Sequence, residues 1–245
     1  MSRWYVTPLS AGIIAASALA ASAADQPVLK AAPMKIEHGN LFYGFDATSH
    51  SSLAGYLGVL YAPYGMHQSG IRFTAFGLYG RYEYSSTPTD VSARFWSGDL
   101  LVGYSNVTAN GAYTLSIGVN AQNHSLSPFD PTNSVRGSEV GFKVQGDFWV
   151  NPTPVTLLTG LASYSTAYET YYALLRAGYD FHGQRVYVGP EVAALGNERT
   201  DQVRVGLHAS GIRLGIAKLN VSGGWMREKG EGTGWYGTAT VDVPF

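Results

Sequence analysis

Tyr113-Thr114-Leu115-Ser116-Ile117-Gly118-Val119-Asn120-Ala121-Gln122 places an apolar side chain at every odd position and a small or polar one at every even position. In an extended chain those two sets lie on opposite faces, so the stretch reads as a strand between two different environments. The same period runs through Phe142, Val144, Gly146, Phe148 and Val150 against Gly141, Lys143, Gln145, Asp147 and Trp149. It returns in Leu219, Val221, Gly223 and Trp225 against Lys218, Asn220, Ser222 and Gly224. A soluble sandwich also alternates, but its outward set is richly charged. Here the polar set is mostly Gly, Ser, Thr, Asn and Gln, which suits a crowded barrel lumen with the apolar set against lipid.

Composition agrees. The chain has 245 residues, 45% hydrophobic and only 13% charged, with 30 glycines, 17 tyrosines, no cysteine and a net charge of −1. Low charge with high apolar content excludes a disordered chain. The missing thiols exclude disulfide scaffolds and cysteine-ligated metals, and near-neutral charge argues against a nucleic-acid partner. The six histidines are scattered without ligand spacing, and no phosphate-binding glycine loop opens a helix, so neither a metal nor another cofactor is expected.

Residues 1–23 read as a signal peptide: Arg3 supplies the positive start, residues 10–20 an apolar stretch too short to span a bilayer, and Ala21-Ser22-Ala23 a cleavage site. Residues 24–39 carry prolines and mixed charge without a period, and read as a flexible periplasmic lead-in. Beyond the leader no stretch reaches the ~20 apolar residues of a membrane helix, which leaves a closed β-barrel as the spanning architecture.

The expected fold is therefore all-β: a closed antiparallel transmembrane barrel over residues 40–245, with about twelve strands, ten at the least. The strands fall near 40–49, 53–62, 70–84, 92–106, 112–122, 137–150, 155–164, 170–181, 185–195, 202–212, 217–226 and 234–245. Tight connections at Asn110-Gly111, 151–154, 182–184 and 213–216 alternate with longer ones at 85–91, 123–136, 165–169, 196–201 and 227–233; residues 62–69 break that rule. Short turns on one side and long loops on the other are the asymmetry of an outer-membrane barrel with both termini in the periplasm. Trp235, Gly237, Ala239, Val241, Val243 and Phe245 form a last alternating set that ends on an aromatic, as such barrels commonly do. Tyr84, Tyr104, Tyr164, Tyr171 and Tyr179 are placed to form interfacial girdles.

With the apolar set facing lipid, Arg72, Asp99, Lys143, Asp147, Arg176, Asp180, Arg185, Glu191, Arg204, His208 and Lys218 point into the lumen, where most should pair across the barrel. Arg176, Arg185, Tyr187, Glu191, Arg204, His208, Lys143 and Asp147 are the candidate lumen or ligand-binding residues, able as a polar cleft to hydrogen-bond glycan hydroxyls. Pro190 falls on the opposite set, where its missing N–H suggests a bulge or irregular pairing. His208 and Ser210 share one face, and H-x-S resembles the His/Ser pair of outer-membrane lipid A deacylases, in which imidazole activates serine. That resemblance covers two residues, with Gly211 where that family has Asn and no carboxylate at its spacing.

Phe42-Tyr43-Gly44-Phe45-Asp46, Ser69-Gly70-Ile71-Arg72-Phe73, Gly77-Leu78-Tyr79-Gly80-Arg81-Tyr82-Glu83-Tyr84, Val188-Gly189-Pro190-Glu191 and Arg204-Val205-Gly206-Leu207-His208-Ala209-Ser210-Gly211 together resemble the cellulose biosynthesis protein BcsS family. The resemblance implies an exported barrel encoded with bacterial cellulose-synthesis genes, and the leading expectation is a non-catalytic accessory of cellulose secretion or assembly at the cell surface. Its implied partners are outer-membrane lipid, cellulose or other glycan chains and the secretion machinery. A lipid-modifying hydrolase using His208 and Ser210, and a generic small porin, are the alternatives.

Overall fold

Alternation decides where the strands form, and the computed structural model, which describes residues 36–86 and 89–245, places twelve of them. They are β1 (Gly39–Thr48), β2 (Leu53–Tyr61), β3 (Gly70–Ser86), β4 (Thr89–Thr108), β5 (Gly111–Ser127), β6 (Gly137–Val150), β7 (Thr156–Ser165), β8 (Tyr171–Tyr179), β9 (Tyr187–Gly196), β10 (Asp201–Leu214), β11 (Ala217–Glu228) and β12 (Gly232–Pro244). Each pairs antiparallel with its sequence neighbours, and β1 closes on β12 with Tyr43 opposite Val241. Full closure removes the unpaired edges that a bilayer cannot satisfy. The proposed signal peptide lies outside the described residues.

The inside-outside register is the expected one. Leu115, Ile117, Val140, Phe142, Leu207 and Trp225 are exposed on the outer wall, while Asn120, Gln122, Glu191 and Asp242 are buried within. On β4 the outer set runs from Trp96 to Tyr104, about 26 Å of strand at ~3.3 Å per residue, or ~20 Å along a membrane normal at a tilt of ~40°, near the height of an apolar barrel belt. Tyr104, Tyr164 and Tyr179 are exposed on this outer face, and Tyr171 shares it. Tyr84 does not: it is 3% exposed and points inward.

Two expectations change. Call the end with Gly39 and Pro244 the near rim and the other the far rim. Near-rim connections cover 62–69, 109–110, 151–155, 180–186 and 215–216, and described far-rim ones 49–52, 128–136, 166–170, 197–200 and 229–231, so long and short loops do not segregate. Parts of the segments read as far-rim loops are strand instead, chiefly 85–86, 89–91 and 123–127. β3, β4 and β5 run past the aromatic belt because their inward residues Tyr82, Tyr84, Val91, Ala93 and Phe95 pack into one apolar cluster, while Arg81, Glu83, Ser92 and Arg94 face out. The second change concerns the end of the lead-in, whose last residues hydrogen-bond to the barrel. His38 N donates to Phe245 O (2.7 Å), Ala62 N to His38 O (2.7 Å) and Met66 N to Glu37 O (2.8 Å).

The lumen is also more apolar than its sequence set suggested. Phe42, Tyr56 and Leu78 extend the cluster down between β1, β2 and β3, and Leu161, Tyr172, Leu174, Ala193 and Leu195 form a second on β7–β9. Where Phe76 and Phe95 face Tyr172 and Lys143, the gap left is ≈ 30 Å³, room for about one water.

Candidate functional site: the polar network of the lumen

Glu191 and His208 lie inward on adjacent strands, as the alternation requires, with Gly206 opposite Glu191 and His208 opposite Gly189. Arg176, opposite Glu191 on β8, donates from Nε to its carboxylate. Tyr236 hydroxyl donates to the other Glu191 oxygen (2.9 Å). Arg204 turns the other way, to Asp46 on β1: Nη1 to Oδ2 is 2.6 Å and Nη2 to Oδ1 3.2 Å, a two-pronged pair that bridges over β11 and β12. Its guanidinium lies over the Tyr236 ring, 4.8 Å from the centroid, and its Nε donates to Gln202 (2.6 Å). Gln202 in turn donates to Glu228 (3.2 Å). Both ion pairs are almost fully buried, where an unpartnered charge is costly, and Arg176, Glu191 and Arg204 each carry a further hydrogen bond.

Lys143 belongs to a separate network on the opposite wall. Its Nζ donates to Asp99 (2.6 Å), which also accepts from Asn120 (2.6 Å). Asn120 accepts from Gln122 (2.7 Å) and Ser165 (2.9 Å), which carries the network from β4 to β7. Asp147 sits nearer the near rim, in electrostatic contact with Arg72. Arg72 donates to the carbonyls of Gln68 (2.6 Å) and Met66 (3.3 Å) and so fixes the 62–69 connection.

His208 has two partners. Its Nδ1 is 2.9 Å from Ser210 Oγ and its Nε2 3.2 Å from the carbonyl of Ala177. A carbonyl only accepts, so Nε2 carries the proton and, in the neutral ring, Nδ1 accepts from the serine. The register of β8 on β9 is interrupted between Arg176–Glu191 and Tyr179–Val188, and continuing it sets Ala177 opposite Pro190, which has no N–H to donate. The imidazole supplies the donor that the proline lacks. Room for the ring comes from glycine, since a Cβ on Gly178 would stand 3.2 Å from His208 Cε1. The irregular pairing expected at Pro190 is thus present as a gap without a register shift. The bulge falls one strand further, between Ala209 and Ile212, where Gly211 takes φ 83° and donates to Asn220 (2.9 Å).

Three expected positions move. Arg185 lies in the 180–186 turn at φ 60°, not on a lumen strand, because β9 begins only at Tyr187. Asp180 lies in the same turn and accepts backbone N–H bonds from His182 (3.2 Å), Gln184 (3.2 Å) and Arg185 (2.6 Å). Burial opposes its ionisation, but these amides outweigh it and hold the carboxyl below the usual range. Tyr187 is inward but near the near rim, with Asn151 donating to its hydroxyl (3.3 Å). His208 pairs with neither Glu191 nor Asp147. Of the eight candidates, Arg176, Glu191 and Arg204 meet through Tyr236, and His208 lies on the same wall with partners of its own. Asp46, Gln202, Tyr236 and Glu228 were missed although all four sit on inward sets, since sequence separation hides which strands close the barrel. Among the described residues no group of His, Asp or Glu converges as metal ligands would.

The family model for "Cellulose biosynthesis protein BcsS" matches residues 40–245, the whole barrel. The chain belongs to the BcsS family. Comparison with curated proteins returns no match. Among solved structures, a TodX monoaromatic hydrocarbon channel mutant (deltaS2S3) has TM-score 0.49 at 9% identity over 85% of this chain and 91% of that one. A second TodX mutant (deltaS2) has TM-score 0.48 at 9% identity over 84% and 88%. Membership of the family places the barrel in cellulose biosynthesis; the channels' cargo is not carried over.

Proposed function

We propose that this BcsS-family barrel sits in the bacterial outer membrane as a non-catalytic accessory of cellulose secretion or assembly, working as a closed scaffold rather than as the passage for the glucan. The observation that supports this best is the lumen itself: Arg176–Glu191 and Arg204–Asp46 on one wall, Lys143–Asp99 on the other, with tyrosines and leucines between them. The polar groups suited to glycan hydroxyls are engaged with one another. Deleting the gene and measuring cell-bound cellulose tests the reading; unchanged cellulose would overturn it.

The Ser210–His208 contact favours one second reading, a hydrolase acting on lipid acyl groups. Against it, the group that orients His208 is the neutral Ala177 carbonyl rather than a carboxylate that would stabilise an imidazolium, and both side chains are buried in the lumen wall, away from lipid. Ser210→Ala leaves cellulose output unchanged on the accessory reading. Lipid A mass spectra that change with the protein and revert with Ser210→Ala would establish the hydrolase instead.

A further inference from the structure

Two grooves mark the outer wall, and they differ in what stands above them. One, ≈ 400 Å³, crosses β6–β10 over Gly146, Ala162, Ala173 and Ala194. At its far-rim edge stand Asp201, which accepts the Tyr171 hydroxyl (2.9 Å) and is paired with Lys229 (3.3 Å), and the exposed Glu169. The other, ≈ 410 Å³, lies on β2–β5 between Val59, Phe73, Ala75, Leu100 and Ile117. Toward the far rim its outward rows read Gly77 opposite Gly98, then Tyr79 opposite Trp96, then Arg81 opposite Arg94. A Cβ on Gly77 or Gly98 would meet nothing nearer than 3.8 Å, so packing does not demand these glycines. They leave an open furrow that joins the groove to the aromatic pair.

Arg81 and Arg94 are both exposed, and among the described residues neither guanidinium has a hydrogen-bond or ion-pair partner. Like charges directly opposite on one sheet face are unfavourable, so the pair calls for an anion. The neighbouring carboxylates are engaged by other groups: Glu83 accepts from Ser92 (3.5 Å) and Asp90 from Ser85 (2.9 Å). Just beyond the aromatic belt is the level of lipid headgroups, and guanidinium is the side chain best matched to phosphate. From Arg81 down to Ala75 the strand runs about 20 Å, the reach of one acyl chain.

We propose that this face binds one phosphate-bearing lipid of the lipid A class, its phosphate held between Arg81 and Arg94 and one acyl chain laid over Gly77 and Gly98 into the β2–β5 groove. The choice of lipid A over a phospholipid rests on the outer-membrane placement proposed above, with the far rim facing outward. The β6–β10 groove, where Lys229 is already paired with Asp201, does not bind it.

The test is native mass spectrometry of the folded barrel in detergent after incubation with bis-phosphorylated lipid A, its dephosphorylated form, or phosphatidylglycerol. The wild type retains one lipid A, and Arg81→Gln/Arg94→Gln lowers that retention about tenfold or more. Gly98→Leu, which fills the furrow without altering charge, weakens it too. Arg227→Gln, at the same level above Trp225 on β11, leaves it unchanged. Heat-modifiable migration establishes that each variant folds. Equal retention by the double variant, an equal loss in Arg227→Gln, or phosphatidylglycerol retained as well as lipid A overturns the site. An inner-membrane or soluble location in cell fractions would overturn the placement while leaving this in vitro result standing.

Discussion

Glu191 shows how much a single lumen carboxylate does in a barrel of this width. It faces Arg176 across one strand pair and receives the Tyr236 hydroxyl across two more strands, so three elements meet on its two oxygens. Removing its charge leaves the Arg176 guanidinium buried without a counter-ion, a loss of roughly 3 kcal/mol or more for a buried pair. Glu191→Gln is therefore expected to lower the temperature at which heat-modifiable migration is lost, and to slow assembly into liposomes. Ser116→Ala, on an equally buried lumen residue with no charge to strand, should cost less than about 1 kcal/mol in the same assay. Equal shifts for the two variants would refute the electrostatic account. His208 is the counterpart case: its position was legible from the alternation, but its role as a substitute ladder donor beside Pro190 was not, because that depends on a carbonyl one strand beyond its neighbour.

Among elements, the extended β3–β4–β5 sheet departs most from the expected plan. Its outer face turns from Phe73, Ala75 and Tyr79 to Arg81 and Glu83 along one strand, which marks where lipid ends. Its inner face stays apolar, and the 128–136 connection folds back to cover it, with Asn133 and Val135 fully buried. Asn133 holds that cover in place: its amide donates to the Tyr84 hydroxyl (3.1 Å) and its carbonyl accepts from Val135 N (2.9 Å). Arg199 ties the same connection to the β9–β10 turn through Ser134 Oγ (2.8 Å). Asn133→Ala removes both bonds at once, at a cost of about 1–3 kcal/mol for the groups left unpaired. Limited trypsin digestion should then cut after Arg136 several times faster with the barrel intact; an unchanged rate would mean the cover is held by its apolar contacts alone.

Over the whole molecule, a closed ladder whose lumen charges pair with one another should behave as a rigid, non-conducting shell. The folded protein is expected to migrate differently before and after boiling, to need detergent for extraction, and to give no stable single-channel steps in planar bilayers; reproducible conductance would instead support a porin. The sequence by itself determined a closed antiparallel barrel of about twelve strands and the facing of most of its side chains, because a period of two is a local property that lipid on one side and a lumen on the other enforce along each strand. It also carried the family, through glycine- and aromatic-rich runs such as Val188-Gly189-Pro190-Glu191. Only the tertiary structure decided which inward groups meet. Asp46 and Arg204 stand on β1 and β10 and come together because the barrel closes through β12 and β11, a contact that no local pattern encodes. The same holds for loop lengths, since 85–86, 89–91 and 123–127 read as loop but continue as strand once Tyr84, Val91 and Leu126 find a shared apolar cluster. Alternation tells each residue which side of the wall it faces; the curvature and closure of the wall determine its neighbours.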